Sequence, residues 1–113
     1  MVKGIGMLND SREAVENIYL QDKSAAFNTA RIEALEMQNL FEVAEATAIT
    51  ANERKESRGA HAREDFPKRD DVNYMKHTLS WHNGKEVKIN YRPVTLSTMS
   101  NDVQSFPPKE RIY

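Results

Sequence analysis

The sequence predicts a mainly α-helical domain that continues into a C-terminal β-hairpin and an extended tail. The helical part is predicted by a segment from Ala25 to about Arg58 that contains neither glycine nor proline and repeats its apolar residues at helical spacing. The hairpin is predicted by two short strand-like segments, residues 77–82 and 85–91, that flank Asn83-Gly84, a dipeptide typical of two-residue turns.

A shorter helix is predicted before the long one. Four apolar residues at helical spacing indicate it: Ile5, Leu8, Val15 and Ile18. Because Asp10 and Glu13 fit a capping box, this helix could instead begin at Ser11. Asp22 or Ser24 could then cap the helix that follows.

The long helix has two apolar stripes. The first stripe consists of Ala30, Ala34, Met37, Phe41, Ala44, Ala48 and Ala51, and the second of Ile32, Leu35, Val43, Ala46 and Ile49. A helix that is apolar over this breadth needs partners on two sides, and the other predicted helix is short. The chain is therefore expected either to self-associate or to belong to something larger.

The register of the hairpin presents two alternatives. A two-residue turn at Asn83-Gly84 pairs Trp81 with Glu86, which sets Leu79 and Trp81 on the face opposite to Val87. Either a one-residue bulge realigns the two apolar sets, or both faces of the hairpin are covered by other surfaces.

Composition excludes several kinds of function. The 113 residues suit one modest domain, 39% of them are apolar, and no apolar run approaches the roughly 20 residues of a membrane helix, so a soluble domain is expected. The start has no apolar segment typical of a secretory signal. There are no cysteines, which excludes disulfides, thiolate zinc sites and cysteine nucleophiles. The net charge of −1 and the lack of phosphate-binding glycine motifs give no reason to expect nucleic acid or direct membrane insertion.

Six segments of the sequence together form a specific pattern. They are residues 27–36 (FNTARIEALE), 56–66 (ESRGAHAREDF), 70–74 (DDVNY), 76–79 (KHTL), 91–94 (YRPV) and 107–113 (PPKERIY). In this order, over essentially the whole chain, they resemble the C-terminal domain of the flavoprotein subunit of succinate dehydrogenase, including its fumarate reductase relatives. The short link between Asp71 and Lys76 is similar to bacterial members rather than mitochondrial ones.

The resemblance implies a parent protein with a known activity. Such a parent is an FAD-dependent oxidoreductase that oxidises succinate to fumarate in the TCA cycle and the respiratory chain. Its partners would be the FAD-binding domain of the same subunit and the iron–sulfur subunit, on the cytoplasmic side of the bacterial inner membrane. The motifs for FAD and for catalysis lie upstream in the family, so no catalytic, cofactor-binding or metal residue is assigned here, and the chain alone is expected not to be catalytic.

The resemblance also implies an architecture. Residues 1–58 would be part of an antiparallel, spectrin-repeat-like helical bundle that lacks its first helix. Residues 59–113 would form the loop, the β-hairpin and the tail of the same domain. A further helix precedes the matching position in the family, which agrees with the partner surface that the long helix needs.

One cluster of polar residues is the candidate docking site. It consists of Arg58, His61, Arg63 and Asp65, and Trp81 is added as a possible interface anchor. These residues are expected to align the domain against the flavin domain or the iron–sulfur subunit. The alternative is a helix cap followed by an ordinary hydrogen-bonded loop.

Other polar residues are interpreted as structural rather than functional. The three histidines are not spaced for a zinc site. Four glutamates of the long helix, Glu33, Glu36, Glu42 and Glu45, are interpreted as a solvated face. A different class of function stays open beside the docking domain: a stand-alone helical protein–protein interaction module that self-associates.

Overall fold

The computed structural model describes residues 1–84 and 86–109. Along the chain lie α1 (Val2–Glu16), α2 (Thr29–Glu53), the short α3 (Asp71–Tyr74), β1 (Lys76–His82) and β2 (Val87–Pro93). The two strands form one antiparallel sheet, so the predicted combination of helices and a C-terminal hairpin is confirmed. No helix in the described part of the chain is long and apolar enough to cross a membrane.

The chain divides into two compact units. Unit 1 contains Met1–Glu53 and the described residues of Ser80–Lys88, and unit 2 contains Arg54–Leu79 and the described residues from Ile89 onwards.

Helix α1 of unit 1 begins at Val2, so a start at Ser11 is wrong. The Ser11 hydroxyl donates a hydrogen bond of 2.9 Å to the carbonyl of Met7, one turn earlier, which is the behaviour of a serine inside a helix rather than at its cap. The helix ends at Glu16, where the amide of Asn17 donates to the carbonyl of Glu13.

Helix α2 begins later than predicted, at Thr29 rather than near Ala25, because Asn28 caps it. The Asn28 Oδ1 atom accepts a hydrogen bond of 2.8 Å from the amide of Arg31, the third helical residue. Neither Asp22 nor Ser24 takes this role, since the Asp22 carboxylate accepts from the amide of Ser24 within the preceding loop.

Helix α2 also ends earlier than predicted, at Glu53 rather than Arg58. A further turn would need the amide of Arg58 to donate to the carbonyl of Arg54, but that amide donates to the carbonyl of His61 at 2.8 Å. The amide of Ser57 donates to the carbonyl of Lys68 instead of continuing the helix. Gly59 therefore does not end the helix, and it lies in the tight turn between Arg58 and His61.

The two apolar stripes of α2 have different environments. Helix α1 packs against α2 within unit 1, and most of the first stripe, including Phe41, is half-buried. The second stripe is exposed along its first half, and the most exposed apolar side chains of this surface are Ile32, Leu35, Leu40 and Val43, at 50% to 65%. We call these four residues the open face of α2.

The interior of the described chain is polar. No apolar side chain among residues 1–84 and 86–109 is fully buried. The buried residues are Asn28, Glu45, Glu56 and Arg63. Each unit is therefore organised around ionised or hydrogen-bonded groups.

The hairpin has a register two residues away from the predicted one. The amide of Asn83 donates to the carbonyl of Glu86 at 3.3 Å, so Asn83 lies opposite Glu86 and the two seven-residue strands pair from end to end. A shift of two residues preserves the alternation of side chains, so Trp81 still faces away from Val87. Val87, Ile89 and Tyr91 are half-buried, whereas Trp81 on the opposite face is exposed, and a covering of both faces stays a prediction.

Candidate docking site

The candidate site in unit 2 is built around the carboxylate of Glu56, which is fully buried. Its Oε1 atom accepts hydrogen bonds from Nε of Arg54 at 2.8 Å and Nε of Arg58 at 2.9 Å. Its Oε2 atom accepts from Nη2 of Arg58 at 3.0 Å and from the amide of Asp70 at 2.9 Å. Burial opposes the charge, but these donors outweigh burial and lower the pKa of Glu56 below its ordinary value of 4.5.

Within unit 2, Arg54 links the segment that follows α2 to the last residue of α3 and to the first residues of β1. Its guanidinium donates to the carbonyls of Tyr74 and Lys76 and, at 3.0 Å, to the hydroxyl of Thr78. The same group lies 5.6 Å from the centre of the Tyr74 ring. The role of this side chain could not be recognised from sequence, because all of its partners except Glu56 lie 20 to 24 residues further along the chain.

Arg58 links Glu56 to the short helix α3. Its Nη2 atom donates to Asp71 at 2.6 Å, and Arg69 contacts the other oxygen of the same carboxylate at 2.9 Å. The hydrogen bond from Arg58 and the two guanidinium charges lower the pKa of Asp71 below its ordinary value. The side chain of Asp70 caps α3 by accepting from the amides of Val72 and Asn73.

Arg63 is buried and holds the loop closed from the other side. Its Nε and Nη2 atoms contact the two carboxylate oxygens of Asp65 at 2.8 and 2.6 Å. Its Nη1 atom donates to the carbonyl of Arg54 at 3.2 Å, and Nε2 of His61 lies 3.2 Å from the same carbonyl. The carbonyl of Arg54, the first residue after α2, is thus contacted by two side chains of the loop.

Arg58, His61, Arg63 and Asp65, predicted together from sequence, therefore do lie together in unit 2. Three of them, Arg58, His61 and Arg63, help to line an open groove of about 740 Å³. Its lining residues are Ser57, Arg58, Gly59, His61, Ala62, Arg63, Glu64, Pro67, Arg69, Pro108 and Lys109. Four of these lining residues carry a positive charge and one, Glu64, carries a negative charge.

Trp81 belongs to unit 1, and its indole is 53% exposed. Exposure leaves the ring available to a partner, and aromatic side chains are frequent anchors at protein interfaces. Its role as an anchor stays a prediction.

Unit 1 has a polar centre of its own that sequence reasoning missed. Glu45 is only 3% exposed, and its carboxylate contacts the guanidinium of Arg12 and Nε2 of His82, the latter at 2.7 Å. The interpretation of Glu45 as part of a solvated face is therefore wrong. The local sequence does not distinguish Glu45 from the exposed Glu42, because the two partners of Glu45 lie 33 residues before it and 37 residues after it.

The hydrogen bonds of His82 define which ring nitrogen accepts and which donates. The amide of Gly84 donates to its Nδ1 atom at 3.0 Å, so the ring proton is on Nε2 and is donated to Glu45. Burial opposes the charge on Glu45, but the hydrogen bonds from His82 and Arg12 outweigh it and lower the pKa of Glu45 below 4.5. Within the described ranges, no group of three or more histidine and carboxylate side chains is placed to hold a metal ion.

Comparisons with known proteins define the class to which this architecture belongs. The family described as "Fumarate reductase flavoprotein C-term" matches residues 1–113. The chain belongs to this family of C-terminal domains of succinate dehydrogenase and fumarate reductase flavoprotein subunits, which confirms the resemblance noted in the sequence.

Individual proteins that are similar to this chain come from the same two groups of enzymes. The chain is 45% identical to the succinate dehydrogenase flavoprotein subunit of Rickettsia felis, over 98% of this chain and 19% of that protein. It is 47% identical to the corresponding subunit of Coxiella burnetii, over 98% of this chain and 18% of that protein. Among solved structures, a mutant form of E. coli quinol fumarate reductase FrdA matches with a TM-score of 0.80 and 34% identity, over 98% of this chain and 18% of that one. The chain thus spans about a fifth of the length of these relatives.

Proposed function

We propose that this chain is the structural and docking domain of a succinate dehydrogenase flavoprotein subunit and that it has no catalytic activity alone. In this proposal the parent subunit holds FAD and oxidises succinate to fumarate. The domain packs against the FAD-binding domain of the same subunit and supports its association with the iron–sulfur subunit, at the cytoplasmic side of the bacterial inner membrane.

The open face of α2 is the observation that carries the proposal. Ile32, Leu35, Leu40 and Val43 project from one side of a 25-residue helix, and the side chains of this surface stay at least half exposed. A contiguous apolar surface of this kind marks an interface rather than a solvated surface. A further helix packed there would complete an antiparallel, spectrin-repeat-like bundle, and the unmatched four-fifths of the relatives' length could supply it.

The groove of unit 2 supports the same proposal. The cluster of Arg58, His61, Arg63 and Asp65 is held by hydrogen bonds to buried groups, so little conformational freedom is lost when a partner segment binds. We assign this cluster to contact with the flavin domain or the iron–sulfur subunit, with Trp81 as a separate anchor.

Reconstitution from two pieces tests the proposal. The chain is mixed with the part of the Rickettsia felis subunit that lies outside the matched residues, and complex formation is followed by size-exclusion chromatography with light scattering. We expect a one-to-one complex that the double variant Leu40→Glu/Val43→Glu abolishes, because both charges would be buried on the open face.

The matched control is Val72→Glu, which places a charge on an exposed valine of α3 in unit 2. It should leave the complex intact. A stable homodimer that shows no binding to the flavoprotein piece would contradict the proposal and favour the self-associating module instead.

A further inference from the structure

Phe27 has two unfavourable properties at once. Its φ angle is +54°, and it is the one non-glycine residue with positive φ in the described chain. For a bulky aromatic residue this left-handed conformation is a true outlier, because its Cβ crowds the backbone. Its side chain is also completely exposed, at 102%.

The conformation is imposed by the neighbours of Phe27. Asn28 is buried, its Nδ2 atom donates to the carbonyls of Asp22 and Ser24 at 3.1 Å each, and its Oδ1 atom caps α2. The amide of Thr29 donates to the carbonyl of Phe27 at 3.1 Å. These bonds hold the main chain of Phe27 on both sides, whereas its exposed ring adds nothing to the packing.

Glycine or asparagine would occupy this position with less strain and without exposing a ring to water. Local strain that the surroundings impose is concentrated at functional positions. A rigid aromatic side chain that projects from a fixed loop has the form of an interface anchor, because few degrees of freedom are lost when it is buried.

We propose that Phe27 is a docking anchor that enters an uncharged apolar pocket on the part of the flavoprotein subunit outside this chain. The inference rests on the function proposed above. The phenyl ring has no polar atom, so the pocket that fits it is lined by apolar or aromatic side chains. About four-fifths of the relatives' length is available to provide such a pocket.

A second copy of the chain fits the ring less well. The groove on α2 that is lined by Glu36, Asn39, Leu40 and Val43 is shallow and widely open to solvent, so it would cover only part of the ring. The groove of unit 2 is lined mainly by charged and polar residues. We therefore assign the occupied pocket to the flavoprotein rather than to a homodimer.

The experiment measures the Kd between the chain and the remaining piece of the Rickettsia felis subunit. Phe27→Gly and Phe27→Asn both remove the ring and both accept a left-handed backbone. We expect each variant to raise the Kd by about 30-fold or more, the effect of a strong anchor. We expect the urea midpoint of the free chain to stay unchanged or to rise, because the strain is relieved.

A spectroscopic probe adds a second measurement. The chain has no cysteine, so Phe27→Cys carries a unique site for a solvent-sensitive fluorescent label, whose emission should shift to the blue when the flavoprotein piece is added. A wild-type chain that does not bind the piece would overturn both the docking function and the anchor. A chain that binds with the same Kd after Phe27→Gly, or a probe whose emission does not shift on binding, would overturn the anchor alone. Homodimers that dissociate on Phe27→Gly would place the pocket on a second copy and overturn the assignment made here.

Discussion

The Oε2 atom of Glu45 lies 2.7 Å from Nε2 of His82, and this hydrogen bond joins the middle of α2 to the tip of the hairpin within unit 1. Arg12 of α1 contacts the other carboxylate oxygen and also donates to the carbonyl of Gly84 at 3.2 Å. One buried carboxylate therefore holds three elements together, in a unit whose apolar side chains are at most half-buried.

Removal of this charge should destabilise unit 1. Glu45→Gln leaves the guanidinium of Arg12 without its counter-ion, and we expect the free energy of unfolding to fall by about 2 kcal/mol. Urea denaturation followed by circular dichroism measures the change. Glu42→Gln on the exposed side of α2 is the control and should change stability by less than about 0.5 kcal/mol. Equal effects of the two variants would contradict the role of Glu45.

The stability of the chain should fall at acidic pH. The folded-state pKa values of Glu45 and Glu56 are both lower than the ordinary value of 4.5. Each carboxylate therefore contributes stability that is fully present above about pH 4.5 and is lost as the pH falls through the folded-state pKa. Unfolding free energies measured from neutral pH down to about pH 3 should decrease below pH 4.5.

Glu56→Gln provides the matched test of this pH dependence. It should flatten the decrease below pH 4.5, because one of the buried carboxylates with a lowered pKa is gone, and it should lower stability at neutral pH. Glu64→Gln, which replaces an exposed carboxylate next to the same groove, should preserve the wild-type profile. A stability that is constant from neutral to acidic pH would show that the buried carboxylates are not held ionised by their partners.

Two glycines should respond in opposite directions to the same substitution. Gly59 has a φ of +58° and occupies the first central position of the turn between Arg58 and His61, so Gly59→Ala should destabilise the chain by about 1–2 kcal/mol. Gly6 lies inside α1 with open space around its Cα, so Gly6→Ala should stabilise by about 0.5–1 kcal/mol. Thermal melting of both variants shows whether the melting temperature falls for Gly59→Ala and rises for Gly6→Ala. Since an added Cβ at Gly59 meets no atom within 4 Å, a neutral Gly59→Ala would mean that the turn adjusts its backbone.

Neighbouring residues on α2 separate the covered stripe from the open face. Phe41 is half-buried, and its ring lies 5.4 Å from the guanidinium carbon of Arg12, so Phe41→Ala should lower the stability of the free chain by about 1–2 kcal/mol. Leu40 is exposed, so Leu40→Ala should leave the free chain nearly unchanged. The order of the two effects should reverse for binding: Leu40→Ala should weaken the affinity for the flavoprotein piece more than Phe41→Ala does. The same order in both measurements would mean that the open face is not the interface.

The existence of the main elements could be predicted from local signals, whereas their ends could not. The segment without glycine or proline extends past both ends of α2. The helix begins where the side chain of Asn28 caps it, and it ends before the amides of Ser57 and Arg58, which donate to groups outside it. The capping signal at Asp10 and Glu13 was also misleading, because α1 continues through it. Asn83-Gly84 indicated the hairpin correctly, but the register depends on the pairing of Asn83 with Glu86.

The candidate site was predictable only in part. Arg58, His61, Arg63 and Asp65 are close in sequence, so their proximity in space is a local property. Glu45 and Glu56 are buried because distant or backbone groups donate to them, and composition alone assigns a glutamate to the surface. The breadth of apolar surface on α2 could be predicted from the sequence, because it depends only on helical geometry.

The polar interior of the described residues also has a calorimetric consequence. The heat capacity change of unfolding grows with the apolar area that becomes exposed and averages about 12–15 cal/mol/K per residue in globular proteins. Because the described apolar side chains are at most half-buried, the heat capacity change of this chain should fall below that average, and its stability should depend less steeply on temperature. When the open face and Phe27 become covered, the missing heat capacity should appear as a negative heat capacity change of binding.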